Sequence, residues 1–176
     1  MKNGLRDVIL DALRGHDASY VEVRIDETDS THMRYRGREL EEVSRTASRG
    51  GCVRALAGGG WGFVSFNSLD NLREKAKAAV RNARLVGGEP ITLALSQPIV
   101  DSISADVAKD PSQIPLQDKK AFLDEYVEQM WSVPGISTTT VGYGDGRRKR
   151  IFANSEGSYI EQEKLDIMLR LNAVAR

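Results

Sequence analysis

A single cysteine, Cys52, excludes an internal disulfide, and its place in an apolar run suits a reducing compartment. As a nucleophile it would need a neighbouring histidine or a helix N-terminus, which an apolar strand does not supply. Histidine is equally scarce: His16 falls in a polar turn and His32 in a charged segment, with no H-E-x-x-H helix and no C-x-x-C pair. A transition-metal site needs clustered imidazole, thiolate or carboxylate donors, so neither a metal nor a cofactor is expected within these residues. Neither charge sign is in surplus. Twenty-five basic residues face twenty-five acidic ones, and a sequence pI of about 6.8 gives no global field to recruit nucleic acid or anionic lipid. No apolar run approaches the roughly 18 residues of a membrane span, and "MKNGLRDVILDALRGHD" is charged throughout, unlike a signal peptide. A cytoplasmic protein without membrane partners is expected.

What is present begins with glycine. "CVRALAGGGWGFVSFNSLDNL", residues 52–72, sets Gly58, Gly59 and Gly60 between two apolar runs. Rossmann and Walker phosphate cradles run strand, glycine loop, helix, because the helix N-terminus offers free N–H groups to the anion. Here Trp61, Phe63, Val64 and Phe66 follow at once as a second strand. A kinase-type glycine loop is off by one in spacing, and no lysine-bearing V-A-I-K strand follows. The stretch therefore reads as a hairpin in which Gly58–Gly60 take positive φ and Gly62 admits a close neighbour. Trp61 and Phe63 alternate, which favours burial in the meander's own core over an exposed contact surface.

The remaining pattern gives an α+β protein: mostly antiparallel β-meanders with three amphipathic helices packed on the sheet faces. Helices are predicted at 3–14 on Leu5, Val8, Ile9, Ala12 and Leu13, at 69–86 with Ser68 as cap, and at 117–132 on Phe122, Leu123, Tyr126, Val127 and Met130. "YVEVRIDETD" alternates as a half-buried strand, two short strands flank Gly37, and a further pair flanks the glycine triplet. Later strands are expected at 136–144, 148–154, 158–164 and 166–175, joined by "GDG", "NSEGS" and a turn near Leu165. Pro90, Pro98, Pro111 and Pro115 mark an extended connection. The expected organisation is an N-terminal helix-plus-meander domain over 1–88, a linker over 89–116, and the start of a central domain over 117–176. The last strand alternates up to Arg176 without a closing turn, as though cut inside a sheet, so a longer parent protein is expected.

No arrangement of catalytic groups emerges. There is no G-x-S-x-G elbow to expose a serine. Glu39 with Glu41 and Glu161 with Glu163 project to one strand face, as acid/base work requires, but solvated strand faces look the same. "GRRKR" at 146–150 lacks interleaved aromatics and reads as a soluble hairpin tip rather than a phosphate grip.

Two patterns go further. R-G-x-x-V-R over Arg49–Arg54, a glycine-rich turn, W-G-F and N-x-L, together with N-S-E-G-x-x-I-E-Q over Asn154–Gln162, resemble the N-terminal and early central regions of the TldD/PmbA family, with the W-G-F version closer to the TldD side. This family comprises gyrase modulators now regarded as peptidases. The resemblance implies a cytoplasmic protein that pairs with a related subunit, as homo- or hetero-dimer. For a full-length relative on the TldD side it implies peptide hydrolysis with zinc held by an H-E-x-x-x-H helix and a later cysteine. That motif is absent from this sequence, so no catalytic, cofactor-binding or metal residue carries over. The implied role is the non-catalytic portion, enclosing substrate and meeting a subunit. A free-standing interaction module, or a gyrase-associated modulator without peptidase activity, are the alternatives.

Overall fold

The computed structural model describes residues 4–176. Helix α1 (Leu5–Ala12) is followed by strands β1 (Tyr20–Arg36), β2 (Glu39–Ala57) and β3 (Gly60–Phe66), helix α2 (Leu72–Val86), strand β4 (Val100–Ile103), helix α3 (Leu116–Trp131), and strands β5 (Ile136–Asn154) and β6 (Tyr159–Ala175). The hydrogen-bonded order is β3-β2-β1-β5-β6-β4. β2 and β3 pair antiparallel, with Leu56 opposite Trp61 and Arg54 opposite Phe63, whereas β4 runs parallel to β6 from Val100 opposite Tyr159. The expected α+β class with mostly antiparallel strands holds.

Two compact units divide the chain, each assembled from three separate stretches. The first comprises residues up to Glu27, Arg49–Ser104 and Lys149–Glu163, and the second Thr28–Ser48, Ala105–Arg148 and Lys164–Arg176. Long strands make this division possible, since β1, β2, β5 and β6 each contribute one stretch to either unit.

In the first unit, α1 and α2 cover one sheet face. Val21, Val23 and Ile25 of β1, Val53, Ala55 and Ala57 of β2, and Ile151 and Ala153 of β5 point to that face and pack with Ile9, Leu72, Ala76, Ala79 and Ala83. The apolar positions of β1 thus alternate as its sequence predicts. α2 presents alanines because β3 lies almost against its backbone: a Cβ on Gly62 would collide with Ala79 O and Ala83 N, and one on Gly60 with Ala83 O. The close neighbour expected of Gly62 is this helix. Gly58 and Gly59 have φ of +58° and +75° and turn the chain, whereas Gly60 already belongs to β3 and lacks positive φ.

In the second unit, Met33 and Tyr35 of β1, Val141 and Tyr143 of β5, and Leu123 and Val127 of α3 form a smaller core. Only part of the predicted α3 stripe is buried. Phe122 is exposed and sits edge-on to Tyr126.

Several predicted boundaries are corrected. α2 starts at Leu72 rather than 69, because the Ser68 hydroxyl accepts from Asp70 N in a local turn and Asn71 adopts a left-handed φ of 54°. β5 does not turn at "GDG", and β6 does not turn near Leu165. At the first of these, Gly144 lies under the His32 ring of β1 and Gly146 beside Asp29 and Ser30, so cross-strand pairing overrides the turn residues. β1 likewise runs unbroken through Asp29 and Ser30. Residue 3, the predicted start of α1, lies outside the described residues.

Candidate substrate-contact groove

The face of the first unit opposite the helices carries the alternate residues of the same strands. Tyr20, Glu22 and Arg24 of β1, Arg54 and Leu56 of β2, Trp61 and Phe63 of β3, and Phe152 and Asn154 of β5 lie there by strand alternation. At their centre is Glu22, a carboxylate only 3% exposed. Burying an unpaired charge is prohibitive, and Glu22 is paired on both oxygens. Tyr20 donates its hydroxyl to Oε2 over 2.7 Å, Arg24 donates Nε–H to Oε1 over 3.1 Å, and Arg54 reaches Oε2 through Nη2 at 3.2 Å. Nε of Arg54 also stands 3.1 Å from Oε1.

Of the two guanidinium groups around this carboxylate, Arg54 lines the groove on this face together with the Glu156 carboxylate, and Arg24 does not. Arg54 is held in place from both ends: its guanidinium lies 4.3 Å from the centre of the Trp61 ring and 6.0 Å from that of Phe63. Tyr20 meets Trp61 edge-on at 6.2 Å. Arg24 in turn lies over Phe152 at 5.4 Å. The expectation that Trp61 and Phe63 sit in the meander's core is therefore corrected. Glycines occupy the helix-facing positions of β3, so both aromatics fall on the other face, Trp61 half-buried and Phe63 57% exposed.

A groove of about 400 Å³ runs along this face, lined by Tyr20, Arg54, Trp61, Phe152, Gln97 and Ile99 among others. Its far wall is the connection before β4. The "NSEGS" turn fixes that wall: Asn154 Oδ1 accepts from Ser158 N at 2.8 Å, Ser155 Oγ accepts from Val21 N at 3.0 Å, and Ser158 Oγ accepts from Ile99 N at 3.1 Å. A groove that carries one guanidinium and one carboxylate, Arg54 and Glu156, among aromatic and small polar side chains offers both donors and acceptors to an extended polar chain. It does not resemble an acid/base site, since the Glu22 carboxylate is occupied by three donors.

The other residues singled out in the sequence are placed as follows. His16 Nε2 is 2.7 Å from Ala12 O at the end of α1. Cys52 is half-buried and lines a cavity with Arg24 and Arg150, while His32 lines a different one with Met168. Glu41 pairs with Arg34 and Arg36, and Glu161 with Lys149. The basic run 146–150 is not a hairpin tip but mid-strand, with Arg147 near Asp110, Lys149 on Glu161 and Arg150 on Asp26. Among the described residues no three His, Cys, Asp or Glu side chains are grouped to hold a metal ion. This donor set does not fit zinc.

Three tyrosines, Tyr20 of the groove and Tyr143 and Tyr159 of the cores, titrate late. Burial, reinforced by the Glu22 carboxylate, pushes the Tyr20 hydroxyl up to about 12, and burial beside Glu161 and Asp145 raises Tyr159 and Tyr143. A phenol whose folded pKa exceeds its unfolded value of about 10 binds its proton more tightly when folded, so its contribution is complete below pH 10 and is lost as pH rises through the folded value. Stability is accordingly expected to fall between about pH 10 and 12. Tyr20→Phe should flatten that loss in denaturant titrations at successive pH values, and an unchanged slope would refute the assignment.

The comparisons with known proteins agree with this architecture. The model of PmbA/TldA metallopeptidase domain 1 matches residues 21–83, and that of the PmbA/TldA metallopeptidase central domain matches residues 109–176. The chain belongs to the PmbA/TldD family. A protein named metalloprotease from Synechocystis sp. is 35% identical over 161 residues, covering 90% of this chain and 35% of its own. Among solved structures, TldE from Thermococcus kodakarensis superposes with a TM-score of 0.70 at 14% identity over 98% of this chain and 39% of that one. A candidate modulator of DNA gyrase from Bacteroides thetaiotaomicron gives 0.76 at 15% identity, over 97% and 41%. The chain spans about a third of the length of the curated relatives it matches.

In the sequence, Arg54 and the N-S-E-G turn stand out as parts of the family pattern, with no role attached. Glu22 does not stand out there. The available signal was a pair of opposite charges two residues apart on one strand face, Glu22 and Arg24 in Tyr20–Ile25, which can neutralise each other wherever that face is covered.

Proposed function

We propose that this PmbA/TldD-family chain is the substrate-enclosing, non-catalytic portion of a TldD-like zinc peptidase in the cytoplasm, with the Arg54–Trp61 groove as a wall that the peptide touches. The observation that carries the reading is the Glu22–Arg54–Trp61 arrangement: a guanidinium held on a buried carboxylate and stacked on an indole at the wall of an open groove. The guanidinium N–H groups not spent on Glu22 are held in place and can bind a carbonyl oxygen at low entropic cost. The metalloprotease name of the relatives supports the peptidase context, and zinc and hydrolysis are assigned to none of these 176 residues.

Arg54→Lys keeps the charge beside Glu22 and loses the fork. It is expected to weaken binding of unstructured peptides to the 176-residue chain about tenfold, which corresponds to about 1.4 kcal/mol, measured by isothermal titration. Equal affinities would refute the wall.

The same proposal includes a subunit contact at β6. Ile167, Met168, Leu169, Leu171 and Val174 are all exposed, and β4 pairs with β6 only from Tyr159 to Gln162. Open strand edges bearing apolar side chains recruit further strands. The proposed occupant is a related subunit, and in its absence the chain is expected to self-associate. Sedimentation at rising concentration checks this: a strictly monomeric species up to about 100 μM would refute it.

A further inference from the structure

The N-terminus of α3, in the second unit, opens onto a separate polar cavity of about 330 Å³ lined by Thr31, Arg45, Ser112, Leu116 and Lys119 among others. We infer that this cavity is an oxyanion site, taking a carboxylate or phosphate group on the start of α3, the Thr31 hydroxyl and the Arg45 guanidinium.

Four observations carry it. α3 has sixteen residues and no side-chain cap, because Pro115 stands at the capping position. Asp118 N and Lys119 N turn back to Pro115 O, whereas the N–H groups of Leu116 and Gln117 have no acceptor among the described residues. Uncapped N–H groups at the positive end of a helix are suited to an anion. Thr31 is 5% exposed and lines the cavity, and its hydroxyl is hydrogen-bonded to none of the described residues. Arg45 is exposed and joins no carboxylate among the described residues, leaving its fork available.

The neighbouring charges do not cancel this. Lys119 is spent on Asp145, with both side chains 4% exposed. Asp110 accepts from Ser112 N through Oδ1, and its Oδ2 is 3.8 Å from Arg147. Asp118 lies in the first helical turn and sets a limit on affinity. The net field at the cavity is therefore that of Arg45 plus the helix end. None of these residues belongs to the peptide groove, so the inference does not depend on the proposed function.

The test is amide NMR of the 176-residue chain titrated separately with inorganic phosphate and with N-acetylated peptides bearing either a free or an amidated C-terminus. Saturable shifts of the Leu116 and Gln117 amides are expected, with affinity falling at least tenfold in Arg45→Gln and severalfold in Thr31→Val. Arg81→Gln, on α2, should leave them unchanged. Saturation by phosphate but by neither peptide assigns a phosphate ligand. Saturation by the free-carboxylate peptide but not its amide assigns a carboxylate. No saturable shift with any of the three up to about 20 mM, well above a millimolar dissociation constant, overturns the site. So does binding that Thr31→Val and Arg45→Gln leave intact, and both variants remove groups without folding partners, so loss of the fold does not obscure the result.

Discussion

Replacing Lys119 by methionine is expected to destabilise the chain by about 3–5 kcal/mol, the usual cost of leaving one member of a buried ion pair alone. Lys119 and Asp145 have side chains only 4% exposed and meet at 2.5 Å, and the Tyr143 hydroxyl donates to the same Asp145 oxygen at 2.6 Å. Removing the ammonium leaves the carboxylate with the Tyr143 hydroxyl and no countercharge in a low-dielectric site, where an unmatched charge is costly. The pair itself is a different matter, since desolvation offsets most of its Coulomb attraction. Lys119→Met combined with Asp145→Leu should therefore recover most of the loss. Urea unfolding of both variants decides this. A double variant no more stable than the single one would show that the pair contributes net stability, contrary to this account.

The second large effect is expected at Gly62. Alanine is less disfavoured in a strand than glycine and would cost little on an open surface. In this chain its Cβ would collide with backbone atoms of Ala79 and Ala83. Backbone cannot rotate away as a side chain can, so β3 and α2 must separate and the small core between them must loosen. A loss of about 3 kcal/mol follows, at the upper end of ordinary overpacking. Gly4→Ala is the matched control, because nothing lies within 4 Å of its added carbon. If Gly62→Ala shifts the thermal midpoint no more than Gly4→Ala, the tight contact between β3 and α2 is refuted.

These two sites show what the sequence discloses and what it withholds. Alternation in "YVEVRID" and the helical spacing of Leu72, Ala76, Ala79, Val80 and Ala83 are local patterns, and both mark the faces that the first unit buries. The role of Gly62 was legible as a close approach, but not that the approaching group is a helix backbone, because the partner lies beyond the hairpin. Turn residues were the least dependable guide. Gly144 and Gly146 read as a reversal, yet β1 supplies cross-strand neighbours that hold them extended, a tertiary effect absent from any local window. The Lys119–Asp145 and Glu22–Arg54 pairs were invisible for the same reason: their members are 26 and 32 residues apart, and ordinary charged residues are expected on surfaces. The groove therefore emerged only when β1, β2, β3 and β5 were set side by side.

The central claim is that this chain contacts peptide without itself holding the metal. The most direct measurement is a fluorescence titration of the Trp131→Phe chain with a pool of unstructured peptides, with and without chelator, because Trp61 is then the sole indole among the two tryptophans. The account predicts a saturable change in Trp61 emission that chelator leaves unaltered and that is not followed by cleavage of the pool. Absence of a saturable change, or its abolition by chelator, would contradict it.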